Sequence, residues 1–363
     1  VRDALPMPKL PSLPVLLTAL ALTLAGAAGG WTAALLGLPL PWLLGSLAVT
    51  AALAGTLGAR LPQDFRYPEG LRLAFIAVIG LMIGAQVTPD LAERLPGLAL
   101  SLSALAAFTL AAFAVNYLVF RRLGGYDRVT AFYCATPGGV YEAIALGEAA
   151  GADIRLLTVQ QFLRIILVVT LLPVGITLVE GMPVGSAAGV TAAPDGGTMS
   201  AGGLVLTLAA GAAGLVLGRR LRLPAGQLLG PLLAAAALNL SGFGPVALPP
   251  ELVIAAQIVV GASLGAKFLG ITGPMLRRAA GLGLVSVGTM LAMAALAALA
   301  LTEATGKPVD VLMVSFAPGG VTEMSLVALS LGASPAIVTI HHLFRIGLTV
   351  LAISLAAKLR LPR

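Results

Sequence analysis

The sequence predicts an all-α polytopic membrane protein with two inverted-topology repeats. Each repeat has five transmembrane helices and one re-entrant, broken helical hairpin, giving about ten membrane spans in total. Three observations carry that expectation: sustained hydropathy, internal self-similarity and the distribution of basic residues.

Hydrophobic residues occupy 58% of the 363 positions and charged residues 10%, whereas soluble domains carry about 25% charged residues. With a mean hydropathy of +1.01, a soluble enzyme and a disordered scaffold are both excluded. A β-barrel would alternate apolar and polar residues with a period of two, and no such alternation runs through the chain. The formal charge is +7, but the basic residues stand singly or in pairs between apolar runs, so no nucleic-acid-binding face is expected. A single cysteine, Cys134, excludes a disulfide framework and any multi-cysteine metal site.

Apolar stretches bounded by Pro, Gly or charge run through 13–36, 41–58, 71–87, 97–120, 128–150, 156–179, 202–218, 226–241, 251–269, 279–301, 309–331 and 335–357. The first resembles a secretory signal, with Arg2 and Lys9 ahead of it. Self-similarity overrides that reading. Residues 25–29 and 210–214 both read Ala-Gly-Ala-Ala-Gly, and Leu43-Leu44-Gly45 recurs 185 positions later as Leu228-Leu229-Gly230. Further on the spacing becomes 181, as in Gly84-Ala85/Gly265-Ala266, Pro137-Gly138-Gly139-Val140/Pro318-Gly319-Gly320-Val321, Glu142/Glu323 and Arg164-Ile165/Arg345-Ile346. Residues 1–180 therefore form one membrane repeat and 202–363 another. The stretch 181–201, which has no Lys or Arg, is an external linker. The helix at 13–36 belongs to the first repeat and is expected to be retained.

Cytoplasmic loops of membrane proteins are enriched in Lys and Arg. If every apolar segment spans, the basic residues divide almost evenly between the two faces. If 128–150 and 309–331 instead enter and leave on one side, only Arg94 and Lys307 fall outside. Arg164 and Arg345 then lie within membrane segments, and both termini are cytoplasmic. Charge also appears in one repeat where the other has none, as at Arg219, Arg220 and Arg222, which is the decoration of inverted repeats.

The residues that carry chemistry cluster at the two breaks. Thr136, Pro137, Gly138 and Gly139 in one segment, and Pro318, Gly319 and Gly320 in the other, leave arms too short to cross a core of about 30 Å. Non-helical backbone survives at that depth only where protein or a water-filled cavity satisfies it. The helix that restarts after each tip has free N–H groups suited to an anion. Glu142 and Glu323 sit in its first turn, as helix-start carboxylates or as proton or cation carriers. Arg164 and Arg345 either pair with those glutamates or hold a substrate carboxylate. Gln160 and Gln161 flank Arg164, and His341 and His342 flank Arg345, at helical spacing. The histidines are candidate titrating groups but not a metal site, because helix neighbours point about 100° apart. Asn116 and Asn239 are expected to bridge helices. No nucleotide or catalytic motif is present, so an enzyme is not expected and no cofactor is implied.

At the two Pro-Gly-Gly-Val-x-Glu segments and the Arg-Ile helices that follow them, the chain resembles the duplicated-domain AbrB family of membrane proteins over essentially its whole length. The resemblance implies an integral inner-membrane protein of bacteria with a transporter role. That family is sometimes labelled an ammonia monooxygenase, yet two histidines and one cysteine cannot build the copper or di-iron site such chemistry needs. A regulatory label finds no DNA-binding module. The expectation is a secondary active, elevator-like carrier of a small organic anion coupled to H+ or Na+, embedded in the lipid bilayer as a homo-oligomer. A membrane sensor and a passive channel for a neutral solute are the alternatives.

Overall fold

Inside hydrocarbon every backbone N–H and C=O must find a partner within the protein, so apolar runs of this length become helices. The computed structural model describes residues 12–38, 40–62, 65–85, 87, 96–180, 201–221, 223, 225–241, 246, 248–269 and 273–359, with no strand among them. The helices of the N-terminal half are α1 (Leu13–Leu35), α2 (Pro41–Leu57), α3 (Glu69–Ala85), α4 (Ala99–Leu118), α5 (Arg128–Cys134), α6 (Val140–Ala149) and α7 (Ile154–Glu180). Those of the C-terminal half are α8 (Ala201–Arg220), α9 (Gly226–Leu240), α10 (Pro250–Gly265), α11 (Gly273–Thr305), α12 (Val309–Phe316), α13 (Val321–Ser330) and α14 (Pro335–Lys358). Prolines open α2, α10 and α14, where the missing N–H would have had no helical partner anyway.

Among the described residues, seven helical stretches are long and apolar enough to cross a membrane: α1, α4, α7, α8, α10, α11 and α14, with short extensions of α4 and α10. The chain is thus an all-α polytopic membrane protein. Helices α2, α3 and α9 are shorter, at 17, 17 and 15 residues, or about 22–26 Å of rise. The expected linker lies outside the described residues except for Ala201, and so do Arg2, Lys9, Arg94, Arg222, Arg360 and Arg363.

Two groups of helices emerge from the packing. Helices α1, α2, α3, α8, α9 and α10 pack mainly on one another, and α4–α7 pack with α11–α14. In the first group the small residues set the geometry. A Cβ added at Gly29 would stand 2.6 Å from the Gly45 carbonyl oxygen, and one at Gly214 would stand 2.5 Å from that of Gly230, so α1/α2 and α8/α9 touch backbone to backbone. Gly80 and Gly84 of α3 meet Leu228 and Leu232 of α9, while Gly261 and Gly265 of α10 meet Leu43 and Leu47 of α2. These two crossings use positions that match at the sequence offsets of 181 and 185.

Polar residues tie the helices further. Asn116 accepts from Ser286 between α4 and α11, Asn239 donates to the carbonyls of Ala85 and Val87, and Ser46 donates to Ile258 O at 2.7 Å. Asn116 and Asn239 are therefore the interhelical bridges their sequence positions predict. Gly84→Val would drive a branched side chain into Leu232 and Ala235, which is expected to cost about 2 kcal/mol or more. Gly55→Ala, with open space around it, is expected to leave thermal melting of the purified chain unchanged or slightly raised.

Candidate functional site

Each of the two broken segments is a pair of short helices. The first arm of the N-terminal pair, α5, is opened by Asp127, whose carboxylate accepts from the N–H groups of Val129 and Thr130, each at 2.9 Å. Partial burial pushes the Asp127 carboxyl up, but the hydrogen bonds from Thr130 and Val129 outweigh it and hold the pKa below the ordinary 3.8. The breaks fall between α5 and α6 and between α12 and α13, at the Pro-Gly-Gly sequences, because proline cannot continue the ladder. Gly139 turns the first break with φ of 62°, a left-handed conformation that a side chain would strain. Gly320, its counterpart, is extended at φ −75° and ψ 146°. The two tips therefore share a sequence and differ in shape.

What satisfies the broken backbone comes from α7 and α14. Arg164 Nη1 donates to the carbonyl of Thr136, the residue before Pro137, and Arg345 Nη1 donates to the carbonyl of Ala317, the residue before Pro318. Gln161 Nε2 reaches Tyr133 O at 2.7 Å, and His342 Nε2 reaches Val314 O at 3.0 Å, again at matched positions. Arg345 goes further: Nη1 also approaches Phe316 O at 3.3 Å, and Nη2 donates to Gly319 O and to His342 Nδ1, both at 2.9 Å. For His342 Nδ1 to accept, its ring must be neutral with the proton on Nε2, where the Val314 carbonyl takes it. A cation on the closing carbonyls of a helical arm is also favoured by their partial negative charge. Among the described residues neither arginine pairs with Glu142 or Glu323, and Arg164 Nη2 has no hydrogen-bond partner.

A cavity of about 310 Å³ lies where the two tips converge. Gly138, Gly139, Val140 and Glu142 line it from one tip, Gly319, Gly320, Val321, Thr322 and Glu323 from the other, with Arg164 and Arg345 beside them. The first group of helices supplies the opposite wall through Arg72 and Ile76 of α3, Val260 and Leu264 of α10, and Ala225, Gly226 and Gln227 at the start of α9. Three arginines thus face two glutamates. The N-termini of α6, α13 and α9 also meet at this cavity, and their partial positive charge adds to the excess. Glu142 is exposed, and Glu323 is buried with its carboxylate folded back over Gly320.

The sequence therefore placed both tips, both glutamates and both arginines at a single location. Pro137, Pro318 and Thr136 shape the bends without lining the cavity. Gln161 holds Thr136 Oγ1 at 2.8 Å, and Gln160 bonds Tyr126 Oη at 3.0 Å and Ala279 O at 3.2 Å, away from the cavity. His341 bridges Ile337 O and Ser101 Oγ, at 2.8 and 2.9 Å, and neither histidine lines the cavity. Arg72, Phe162 and Gln227 were missed. Arg72 is one of many basic residues near a helix end, one turn inside α3, and Gln227 stands as a lone amide at the start of an apolar run. Among the described residues, no three His, Cys, Asp or Glu side chains gather where they would hold a metal ion.

Comparison with known proteins matches residues 55–360 to the family described as Transition state regulatory protein AbrB. A Bacillus subtilis (strain 168) protein named "Uncharacterized protein YhjN" is 25% identical over 348 residues, covering 89% of this chain and 88% of that one. An Escherichia coli (strain K12) protein named "Putative regulator AbrB" is 28% identical over 317 residues, covering 85% of this chain and 86% of its own.

Arg345→Gln leaves several buried carbonyls without a donor and is expected to destabilise the chain by about 3 kcal/mol or more, read as loss of monodisperse protein on gel filtration. Asp127→Ala is expected to cost about 1 kcal/mol at neutral pH. Because the Asp127 pKa is depressed, its contribution is present above the ordinary carboxylate value and lost as pH falls through the folded one. The melting temperatures of Asp127→Ala and the parent are thus expected to converge in acid.

Proposed function

Because the chain belongs to the AbrB family and gathers two broken helices around buried arginines, we propose that it is a secondary active carrier of a small organic anion, a carboxylate. The observation that carries this reading is Arg164. It is 6% exposed, lines the cavity, and keeps both Nε and Nη2 of its guanidinium without a protein partner. A carboxylate fits there, between Nη2 and the N–H groups at the starts of α6, α13 and α9. Arg345, with both terminal nitrogens engaged, serves instead to hold its tip.

The same reading takes the chain as two inverted repeats, 1–180 and 202–363, whose broken segments are re-entrant hairpins from opposite faces. The matched crossings α3/α9 and α10/α2, and the matched arginine-to-carbonyl bonds, support it. The group α4–α7 with α11–α14 would carry the anion past α1–α3 with α8–α10, an elevator-like motion, with a homo-oligomer fixing the stationary group. Basic residues gather at the helix ends that bear Arg60, Arg121, Arg155, Arg219 and Arg277, so that face is the cytoplasmic one, in the plasma (inner) membrane. Coupling to a proton on Glu142 or Glu323 is favoured over Na+, because the tip carbonyls a sodium ion would use already face arginine cations. No step of this cycle requires an enzyme's chemistry. A second reading, a membrane regulator that binds without transport, is favoured by the names of the family and of the Escherichia coli relative.

Uptake of a panel of organic acids into proteoliposomes, with and without proton and sodium gradients, tests the proposal. Saturable uptake driven by an inward proton gradient is expected. Arg164→Lys, which keeps a donor for the Thr136 carbonyl but loses the guanidinium fork, is expected to raise the half-saturating concentration about 10–100-fold while the chain stays folded. Absence of saturable uptake of any anion overturns the carrier reading, and saturable binding without uptake establishes the regulator.

A further inference from the structure

Gln257, in the middle of α10, is fully buried, and both its amide nitrogen and its amide oxygen lack any hydrogen-bond partner. Buried polar side chains almost always find partners, so an amide with neither atom satisfied calls for an explanation. Its position in the repeat supplies one. Gln257 stands 181 residues after Ile76, which lines the cavity, and each lies one turn before the first glycine of its crossing, Gly261 and Gly80.

The segment facing it has a counterpart too. Leu40 and Ala225, 185 residues apart, are the non-glycine residues with left-handed backbone among those described, at φ 44° and 48°, and each precedes the first turn of its helix. Ala225, Gly226 and Gln227 line the cavity. Their equivalents are Leu40, Pro41 and Trp42, and there the space is filled: Leu40, Leu43, Ile79 and Ile83 are all fully buried. The cavity is thus open at the start of α9, and the matching position at the start of α2 is sealed.

We propose that Gln257 lines a second mouth of the same anion site, on the opposite face of the membrane. This mouth opens where the hairpin tips part from the frame beside the start of α2, when the one beside the start of α9 closes. Gln257 then meets water and the carboxylate as a neutral amide donor, and its lack of partners is a property of the closed state alone. The inference rests on the carrier reading of the cavity, and it deepens that reading by naming the residue of the other access route.

The experiment uses the full chain with Cys134→Ala, which removes a buried thiol, carrying Ile76→Cys, Gln257→Cys or both. A membrane-impermeant maleimide is applied to intact cells and to inverted vesicles. Ile76→Cys is expected to label at least tenfold faster from one face and Gln257→Cys at least tenfold faster from the other. The double variant is expected to accept one label per chain, because the first holds its own mouth open. Labelling of Gln257→Cys from the face that reaches Ile76→Cys, or from neither face, or two labels on one chain, overturns the proposal. These readouts need no anion, so they fail independently of the uptake assay. Gln257→Leu, which removes the unpaired amide, gives a second measurement on purified protein. A raised melting temperature is expected, and a lowered one shows that the amide is satisfied and overturns the proposal.

Discussion

A peptide backbone that stops being helical inside a membrane must have its carbonyls and amides met by the protein itself, and the rest of this structure depends on how that is done. Two arginines, each on the long helix that follows its broken pair, reach the carbonyl just before the proline. The bond fixes the tip, and the fixed tip puts a helix start, two glycines and a carboxylate at one depth. Without it the break would be an unsatisfied end in hydrocarbon, costing several kcal/mol for each exposed group. The arginine is stabilised in return, since its charge faces the negative ends of the carbonyl dipoles.

The packing around this core is unequal in a way that bears on function. Glycine contacts hold α1–α3 and α8–α10 backbone to backbone, which suits a rigid frame. The hairpins meet that frame mainly where α13 and α14 touch α3, and the cavity fills much of the remaining boundary. Equivalent residues occupy unequal environments: Gly139 is left-handed and Gly320 extended, Glu142 is exposed and Glu323 buried, and Arg345 has both terminal nitrogens bonded where Arg164 has one. On the proposed carrier reading, two matched segments in different arrangements correspond to two access states, since a single packing could serve only one face.

Much of this was legible in the sequence. The all-α membrane fold followed from hydropathy, and the convergence of Pro137–Glu142, Pro318–Glu323, Arg164 and Arg345 followed from the repeat. The partners of the arginines did not. A carboxylate 22 residues before each arginine, at the matched position of both segments, invites an ion pair, yet the guanidinium is needed by carbonyls that a string of letters does not display. The histidines misled for a similar reason: their spacing from Arg345 is that of a functional face, but α14 uses that face to grip α12 and α4. Arg72 and Gln227 were hidden because they come from the other group of helices, and no periodicity within one segment reveals a wall supplied by another. Gln257 is visible only as an unpaired amide in three dimensions.

The central claim is that one cavity between the two tips holds an organic anion through the free Nη2 of Arg164. The most direct measurement is a density map of the chain in lipid nanodiscs with an organic acid that it takes up. The account predicts density for a carboxylate against Arg164 Nη2 and the starts of α6, α13 and α9, with Arg345 still bound to the carbonyls of Ala317 and Gly319. An anion bound elsewhere, or Arg164 turned onto Glu142 or Glu323 with the cavity holding only water, would contradict it.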